Sequence, residues 1–493
     1  MKKSIYCLLL NAFMLGGLTS CFEDDGNYDY SPVYDINISG LEDSYNCLSF
    51  IDSINIKPQI TPTDDEFDYF WGVYETNVQG YAPKLDTICK TKDLHWLVNL
   101  QPKTYKLVFC ATAKNSGIPE IIERDLTVTT ALSKGWYILR DQNGKTDLDF
   151  FSEDGKIEGI IAKYNDKYTL EGEAVNIGYT NKYKVLNPEN GRYVNGQTIF
   201  ALSSKNMVTL NLGKATIIRD YNGIFFSTPE EARLQAFTNS MMGDIYLMNA
   251  GKIHVIGGMT PNSGRFGIEK SGDYELADFC VGNFPGTPIF YDKKSSSFCS
   301  ANSMYENIRY FNDDHADFPS NDMGVDVLFM GAGAGKDWAL AKTVEKGKFQ
   351  LMQLDPMAAY NRYSNLVTDV IEVKADKGIT KAEKWATNAK NNIIYFAKDN
   401  KIYSCNIDAK LAEKEQHTLP VDEKVTYLRN LTLNTANLKF DVLAVATVKG
   451  DSYKIYLFKI QAGNVTGEPE MMEGNGRVRG MIFIDNNFAT ALN

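Results

Sequence analysis

Asp313-Asp314-His315-Ala316-Asp317, with Asp322 and Asp326 beyond it, is the densest group of potential ligands in this chain of 493 residues. Carboxylate oxygens suit a hard cation, because Ca2+ takes about six to eight oxygen ligands. Asp313, Asp314 and Asp317 are therefore the candidate metal ligands and Ca2+ the one cofactor the sequence suggests; a solvated acidic loop is the competing reading. A second oxygen-rich stretch, Asp141, Asn143, Asp147 and Asp149, lacks the glycine and glutamate positions of an EF-hand loop. It reads instead as a hairpin turning at Asn143-Gly144, since Asn-Gly accepts positive φ. The run Gly331-Ala332-Gly333-Ala334-Gly335-Lys336 has glycines like those that cradle phosphate, but neither Ser/Thr nor a helical pattern follows Lys336, so it reads as a turn between strands. The four histidines, His95, His254, His315 and His417, are scattered, and no H-E-x-x-H, G-x-S-x-G or C-x-x-C motif occurs. No catalytic residue is assigned, and a non-enzyme is the expectation, although distant carboxylates can converge in a fold.

Binding chemistry has more material. Aromatic residues make up 12% of the chain, with 28 Tyr and 5 Trp, and such rings offer amphipathic contact area. Trp136, Trp338 and Trp385 stand near predicted strand ends and are the candidate ligand-facing aromatics, suited to stacking on a sugar or to packing on a peptide. The formal net charge is −11, which repels phosphate backbones, and no basic stripe offsets it, so nucleic acid is excluded as a partner. Anionic polysaccharide is disfavoured on the same ground unless a local basic groove overrides it.

These residues must be positioned by strands. Nearly everything after Tyr30 alternates apolar and polar residues or is rich in β-formers, with turn residues at short intervals. Glu230 to Thr238 and Thr380 to Trp385 are the two places where a turn or two of helix is expected. A chain of this length exceeds the roughly 250–300 residues that one core supports, and its character changes near residue 131. Residues 33–130 have the size and strand spacing of an immunoglobulin-like sandwich. From residue 131 to 493, strand–turn–strand units recur at Gly135 to Gly144, Ala215 to Phe226, Asp244 to Ile256 and Asn392 to Cys405, and Lys454 to Ile460 ends the series. Unclosed hairpins would expose long edges, whereas radial repetition protects them; about 360 residues at about 40–50 per blade predict a β-propeller of about seven blades. A pair of large sandwiches is the alternative. Of the eight cysteines, Cys7 and Cys21 belong to the N-terminal segment. The remaining six, Cys47, Cys89, Cys110, Cys280, Cys299 and Cys405, are too sparse for a disulfide scaffold, and buried free thiols are expected for several.

The N-terminus carries a resemblance. Lys2 and Lys3 precede an apolar run from Ile5 to Leu15 that is too short to span a bilayer, which reads as a secretory signal over residues 1–20. Leu18-Thr19-Ser20-Cys21 resembles a bacterial lipobox, in which Cys21 would be lipidated and anchor the chain in outer-membrane lipid. Phe22, Glu23, Asp24 and Asp25 open an acidic tether (21–32) similar to the surface-export signal of Bacteroidota-type lipoproteins; an ordinary acidic tether is the alternative. Phe67-Asp68-Tyr69-Phe70-Trp71, Thr104 to Phe109, Asn115-Ser116-Gly117 and Leu126-Thr127-Val128-Thr129 resemble a PKD-like domain, with Trp71 expected in its core. Together these features resemble the PKD-like lipoproteins associated with SusC/SusD-like importers. The resemblance implies a non-catalytic accessory subunit on the cell surface that captures or positions a glycan or peptide. A propeller-type glycoside hydrolase or lyase and a purely structural importer partner stay open. Changing Glu23, Asp24 and Asp25 together to Ala is expected to preserve lipidation while protecting the chain from protease added to whole cells; unchanged digestion would refute the export reading.

Overall fold

The computed structural model describes residues 36–49, 52–62, 66–76, 82–100, 103–153, 155–187, 190–240, 242–259, 261–282, 287–358 and 364–490. The signal segment, Cys21 and the export residues Phe22, Glu23, Asp24 and Asp25 lie outside them. The chain forms two compact units, Met1–Val128 and Thr129–Asn493. No helix among the described residues is long and apolar enough to cross a membrane.

The first unit is built on a five-stranded sheet in the order Ser44–Leu48, Pro119–Thr129, Lys103–Ala113, Phe67–Glu75, Asp86–Cys89. Two small pairs accompany it, Asn37–Ser39 with Gln59–Thr61 and Ser53–Ile56 with Leu94–Leu97. Alternation decides what each strand buries: Ile54 and Ile56 point inward while Ser53 and Asn55 face solvent. Trp71 is fully buried, its ring 4.4 Å from that of Phe109 and its Nε1 donating to the Lys92 carbonyl at 3.1 Å. That bond satisfies the indole's single donor, as burial of a Trp requires, so Trp71 is a core residue.

The second unit is a seven-bladed β-propeller. Six blades follow one another along the chain, beginning with innermost strands Ala174–Leu186 (blade 2), Leu234–Asn239 (3), Leu276–Val281 (4), Val325–Ala332 (5), Lys384–Thr387 (6) and Lys424–Asn434 (7). Blade 1 is composite. Lys134–Gln142, Lys145–Ser152 and Gly155–Ile157 come from its start, and Arg477–Asp485 pairs antiparallel with Lys134–Gln142 to supply the innermost strand. Each innermost strand touches the next, and that of blade 7 touches Arg477–Asp485, which in turn touches Ala174–Leu186, so the ring closes. Among the described residues blade 3 has three strands, and Phe266 forms an isolated parallel bridge with Phe225.

Burial follows the ring. Seven apolar clusters of this unit each lie between two neighbouring blades, because alternate residues of every strand face the blade before and the blade after. Tyr137, Phe150 and Ile177 mark the cluster of blades 1 and 2, and Phe200 stacks on Phe237 at 4.3 Å in that of blades 2 and 3. Turns follow local chemistry: Asn143 and Gly144 take φ of 52° and 72°, the left-handed pair that a tight hairpin needs.

Two local expectations are corrected and a third is met in part. Leu234–Asn239 is a strand and not a helix; its ladder with Ile245–Asn249 and its position in the ring outweigh local propensity. Thr380 to Trp385 carries a single 3-10 turn, Gly378–Lys381, before the strand Lys384–Thr387. Ala215 to Phe226 is not a hairpin. Ile217–Asp220 ends blade 2, and Asp220 then turns the chain by accepting from the backbone N–H of Gly223 and Ile224 through its carbonyl and, from Gly223, through its carboxylate. A short helix, Ile160–Tyr164, was not expected from the sequence.

Gly178 shows how closely the inner strands approach: a Cβ there would lie 2.1 Å from Phe237 Cδ1. Gly178→Val is expected to destabilise the protein by about 1–3 kcal/mol through overpacking, read as a lower melting temperature; an unchanged melting curve would contradict the packing between blades 2 and 3.

Candidate functional site

Connections from the outermost strand of one blade to the innermost strand of the next gather at one end of the ring, and charged side chains concentrate there. Arg477 begins the innermost strand of blade 1, Lys384 begins that of blade 6, and Glu173 immediately precedes that of blade 2. Arg477 Nη2 lies 3.0 Å from Asp141 Oδ1 and 2.9 Å from Glu173 Oε2. Arg479, two residues on, is 3.9 Å from Asp141 and 4.0 Å from Glu173. Burial lowers the pKa of Lys384, and the nearby Arg479 and Arg477 lower it further against the opposing pull of Glu383. Arg479 is lowered by burial and by Arg477. Half-way along the blade 7 inner strand, Arg429 lies within electrostatic reach of Cys280 on blade 4, across the ring.

Glu473, Gly474, Asn475 and Gly476 lead outward from this mouth to a cleft of about 570 Å³. Its lining includes Lys156, Lys449 and Lys454 with Glu423, Tyr453 and Asn475. The buried Glu423 carboxylate accepts from Thr447 Oγ1 at 2.6 Å and Tyr456 OH at 2.8 Å, and Lys454 Nζ stands 3.4 Å away. Lys156 Nζ donates to Glu158 at 2.5 Å and to the Glu473 carbonyl at 2.8 Å. A side chain at position 474 would obstruct this approach, since a Cβ on Gly474 would sit 2.5 Å from Tyr453 OH and 2.8 Å from Lys156 Nζ.

The oxygen-rich stretch of blade 1 is structural. Asp149 is fully buried, pairs with Arg140 Nη2 at 3.2 Å, and accepts from Tyr453 OH at 2.8 Å and from the Gly159 N–H at 3.0 Å. It thus ties blade 7 to blade 1. Asp147 accepts from the N–H groups of Leu148, Ile161 and Ala162 and holds the start of the short helix. Burial raises its pKa, partly offset by those hydrogen bonds.

The candidate metal ligands do not assemble. Asp313 uses both carboxylate oxygens to accept from Ser320 N, Ser320 Oγ, Asn321 N and Asn321 Nδ2 at 2.6–3.0 Å, so it staples its own loop. Asp314 and Asp317 do not join it, and no group of three His, Cys, Asp or Glu side chains suited to a metal occurs among the described residues. The aromatics are corrected as well. Trp338 lies in the cluster between blades 5 and 6, and Trp385 packs on the same cluster with its Nε1 donating to the Ile379 carbonyl at 2.9 Å. Trp136 packs 5.0 Å from Phe483 and 5.5 Å from Phe440. Large apolar rings are worth more between blades than in solvent, and none of the three forms an open platform. The glycine-rich run is a turn: Gly333 N–H donates to the Lys336 carbonyl at 2.8 Å between two strands of blade 5. His254 is a buried strand residue whose Nδ1 lies 3.0 Å from the Gly267 carbonyl, and burial lowers its pKa. Cys89, Cys110, Cys280, Cys299 and Cys405 are free thiols. Burial pushes Cys280 and Cys405 up to about 12, which disfavours the nucleophilic thiolate.

Sequence reading missed the mouth cations. Arg477-Val478-Arg479 alternates as a strand that sends two cations to one face, a usable signal once that strand is known to be innermost. Lys384 has no such signature, because the arginines whose charge it feels lie some ninety positions away.

Residues 21–196 match the PKD-like family. The matched stretch covers the sandwich and continues into the strands of blades 1 and 2. No curated protein matches the chain. Among solved structures, a quinonprotein alcohol dehydrogenase-like protein of Bacteroides thetaiotaomicron VPI-5482 is 12% identical, with 92% of this chain and 96% of that one covered and a TM-score of 0.37. The extracellular domain of a putative one component system from B. thetaiotaomicron is 10% identical over 90% of this chain and 69% of that one, TM-score 0.37. The WD40 domain of SCAP from fission yeast is 10% identical over 61% and 72%, TM-score 0.34. The propeller assignment stands on the strand ladders and not on these likenesses.

Asp149→Ala is expected to cost about 3–5 kcal/mol, because it leaves Arg140 and Tyr453 buried without their shared acceptor. Chemical denaturation measures this; a loss below 1 kcal/mol would show that the joint between blades 7 and 1 does not depend on that carboxylate.

Proposed function

We propose that this chain is a non-catalytic, lipid-anchored protein of the outer cell surface, and that its propeller captures or positions a glycan or peptide for a SusC/SusD-like importer. The lipobox and acidic tether carry the address. The observation that carries the binding role is the convergence, at one end of a closed rigid ring, of Lys384 with Arg477 and Arg479 from two different blades. Side chains fixed by separate blades are held in position without a mobile loop, which lowers the entropic cost of binding. The PKD-like domain would act as spacer and docking module.

A hydrolase or lyase of acid–base type would need two carboxylates free to exchange protons. At the mouth, Asp141 and Glu173 instead share Arg477. A structural role without ligand would leave the half-buried cations with no purpose beyond folding.

The test is calorimetric titration of the full chain in detergent with a panel of oligosaccharides and oligopeptides, followed by chromatography of the recovered ligands. Binding with every ligand recovered intact is the expected result. Shortened or unsaturated products would establish the enzyme, and copurification with an importer without any ligand binding would establish the structural partner.

A further inference from the structure

Two mouth cations have donors that the chain does not use. Arg479 makes no hydrogen bond among the described residues: its guanidinium stays 3.9–4.0 Å from Asp141 and Glu173, beyond hydrogen-bond reach. Those two carboxylates are already committed to Arg477 at 2.9–3.0 Å. The Lys384 ammonium has neither a hydrogen bond nor an ion pair among the described residues, and the residue is half-buried. Its direction follows from its strand. Trp385 turns toward blade 5, its ring 6.1 Å from Phe329, so Lys384 takes the opposite face, shared with Ala386 of the cluster between blades 6 and 7. Blade 7 alone separates Lys384 from the strand that carries Arg479. Partly desolvated like charges repel, and the acids nearest Arg479, Asp141 and Glu173, are held closer to Arg477 than to it.

We propose that Lys384 and Arg479 bind a carboxylate carried by the captured ligand, as in a uronic-acid oligosaccharide or an acidic oligopeptide. The proposal rests on the capture role above and names the chemistry of what is captured. A carboxylate meets both requirements of the site: its two oxygens match the fork of a guanidinium, and the second oxygen takes the ammonium. Lys156, Lys449 and Lys454 line the cleft reached through residues 473–476, but each is paired with a carboxylate, Glu158, Asp422 and Glu423 respectively, so the free cations are those of the mouth. The overall negative charge of the chain does not oppose this locally, because screening confines it to roughly 8 Å at physiological salt.

Titration of the full chain in detergent with trigalacturonate and with triglutamate tests the proposal, each beside its uncharged counterpart, the trimethyl ester and triglutamine. At least one charged probe is expected to bind, at least tenfold more tightly than its counterpart, and which one binds identifies the carboxylate's source. Arg479→Gln and Lys384→Gln should each weaken that binding at least tenfold with an unchanged melting temperature, while Arg479→Lys should weaken it less. Failure of both charged probes to bind, or equal binding by the variants, overturns the proposal. Tight binding of an uncharged probe alone also overturns it, while leaving ligand capture intact.

Discussion

Antiparallel pairing between Arg477–Asp485 and Lys134–Gln142 is the contact on which the larger unit depends. Without it, blade 1 would lack its innermost strand, blade 7 would face no neighbour, and two sheet edges would be open to other chains. With it, seven inter-blade clusters become a continuous belt of buried apolar surface. Polar groups reinforce this junction more than a hydrophobic count would suggest. Asp141 with Arg477, and Asp149 with Arg140 and Tyr453, bridge segments from the two ends of the propeller. Buried ion pairs add little over apolar packing but penalise any arrangement that leaves one partner alone. Their contribution is therefore to registration: a ring closed with a strand out of step would strand a charge.

The same strand also carries Arg477 and Arg479, so ring closure and the cationic mouth come from one element. A single cation on a loop would be hydrated and mobile. Here Arg479 gains position from the ladder beneath it, and Lys384 from a blade whose other face is locked by Trp385 against Phe329. The aromatic residues thus serve the mouth indirectly, by fixing the strands from which the charges project.

Much of the architecture was legible in the chain. Alternation in Ser53–Ile56 and the Asn143-Gly144 turn announced strands and hairpins, and hairpins without closure imply edges, so a ring of about seven blades followed from physical need. Local signals failed where pairing came from far away. Leu234–Asn239 is a strand because Ile245–Asn249 lies beside it, and Ile160–Tyr164 is helical because Asp147 on a neighbouring strand accepts its first N–H groups. Site residues were harder still. Asp313, Asp314 and Asp317 looked like ligands because they are adjacent in sequence, yet Asp313 serves its own loop. Trp136, Trp338 and Trp385 looked like platforms because blade ends were the guessed location, and the space between blades claimed them. Lys384 and Arg479, near the starts of two innermost strands, share one end of the ring only once it closes.

Arg477 and Asp141 are 336 positions apart in the chain. A chain synthesised from its N-terminus must therefore expose blades 1 to 7 before the strand that joins them arrives. Until then the half-made ring presents two unpaired edges, and contacts so distant in sequence are slow to form. The strand Arg477–Asp485 thus acts as the clasp of the ring, and the two edges stay open to other chains until it pairs.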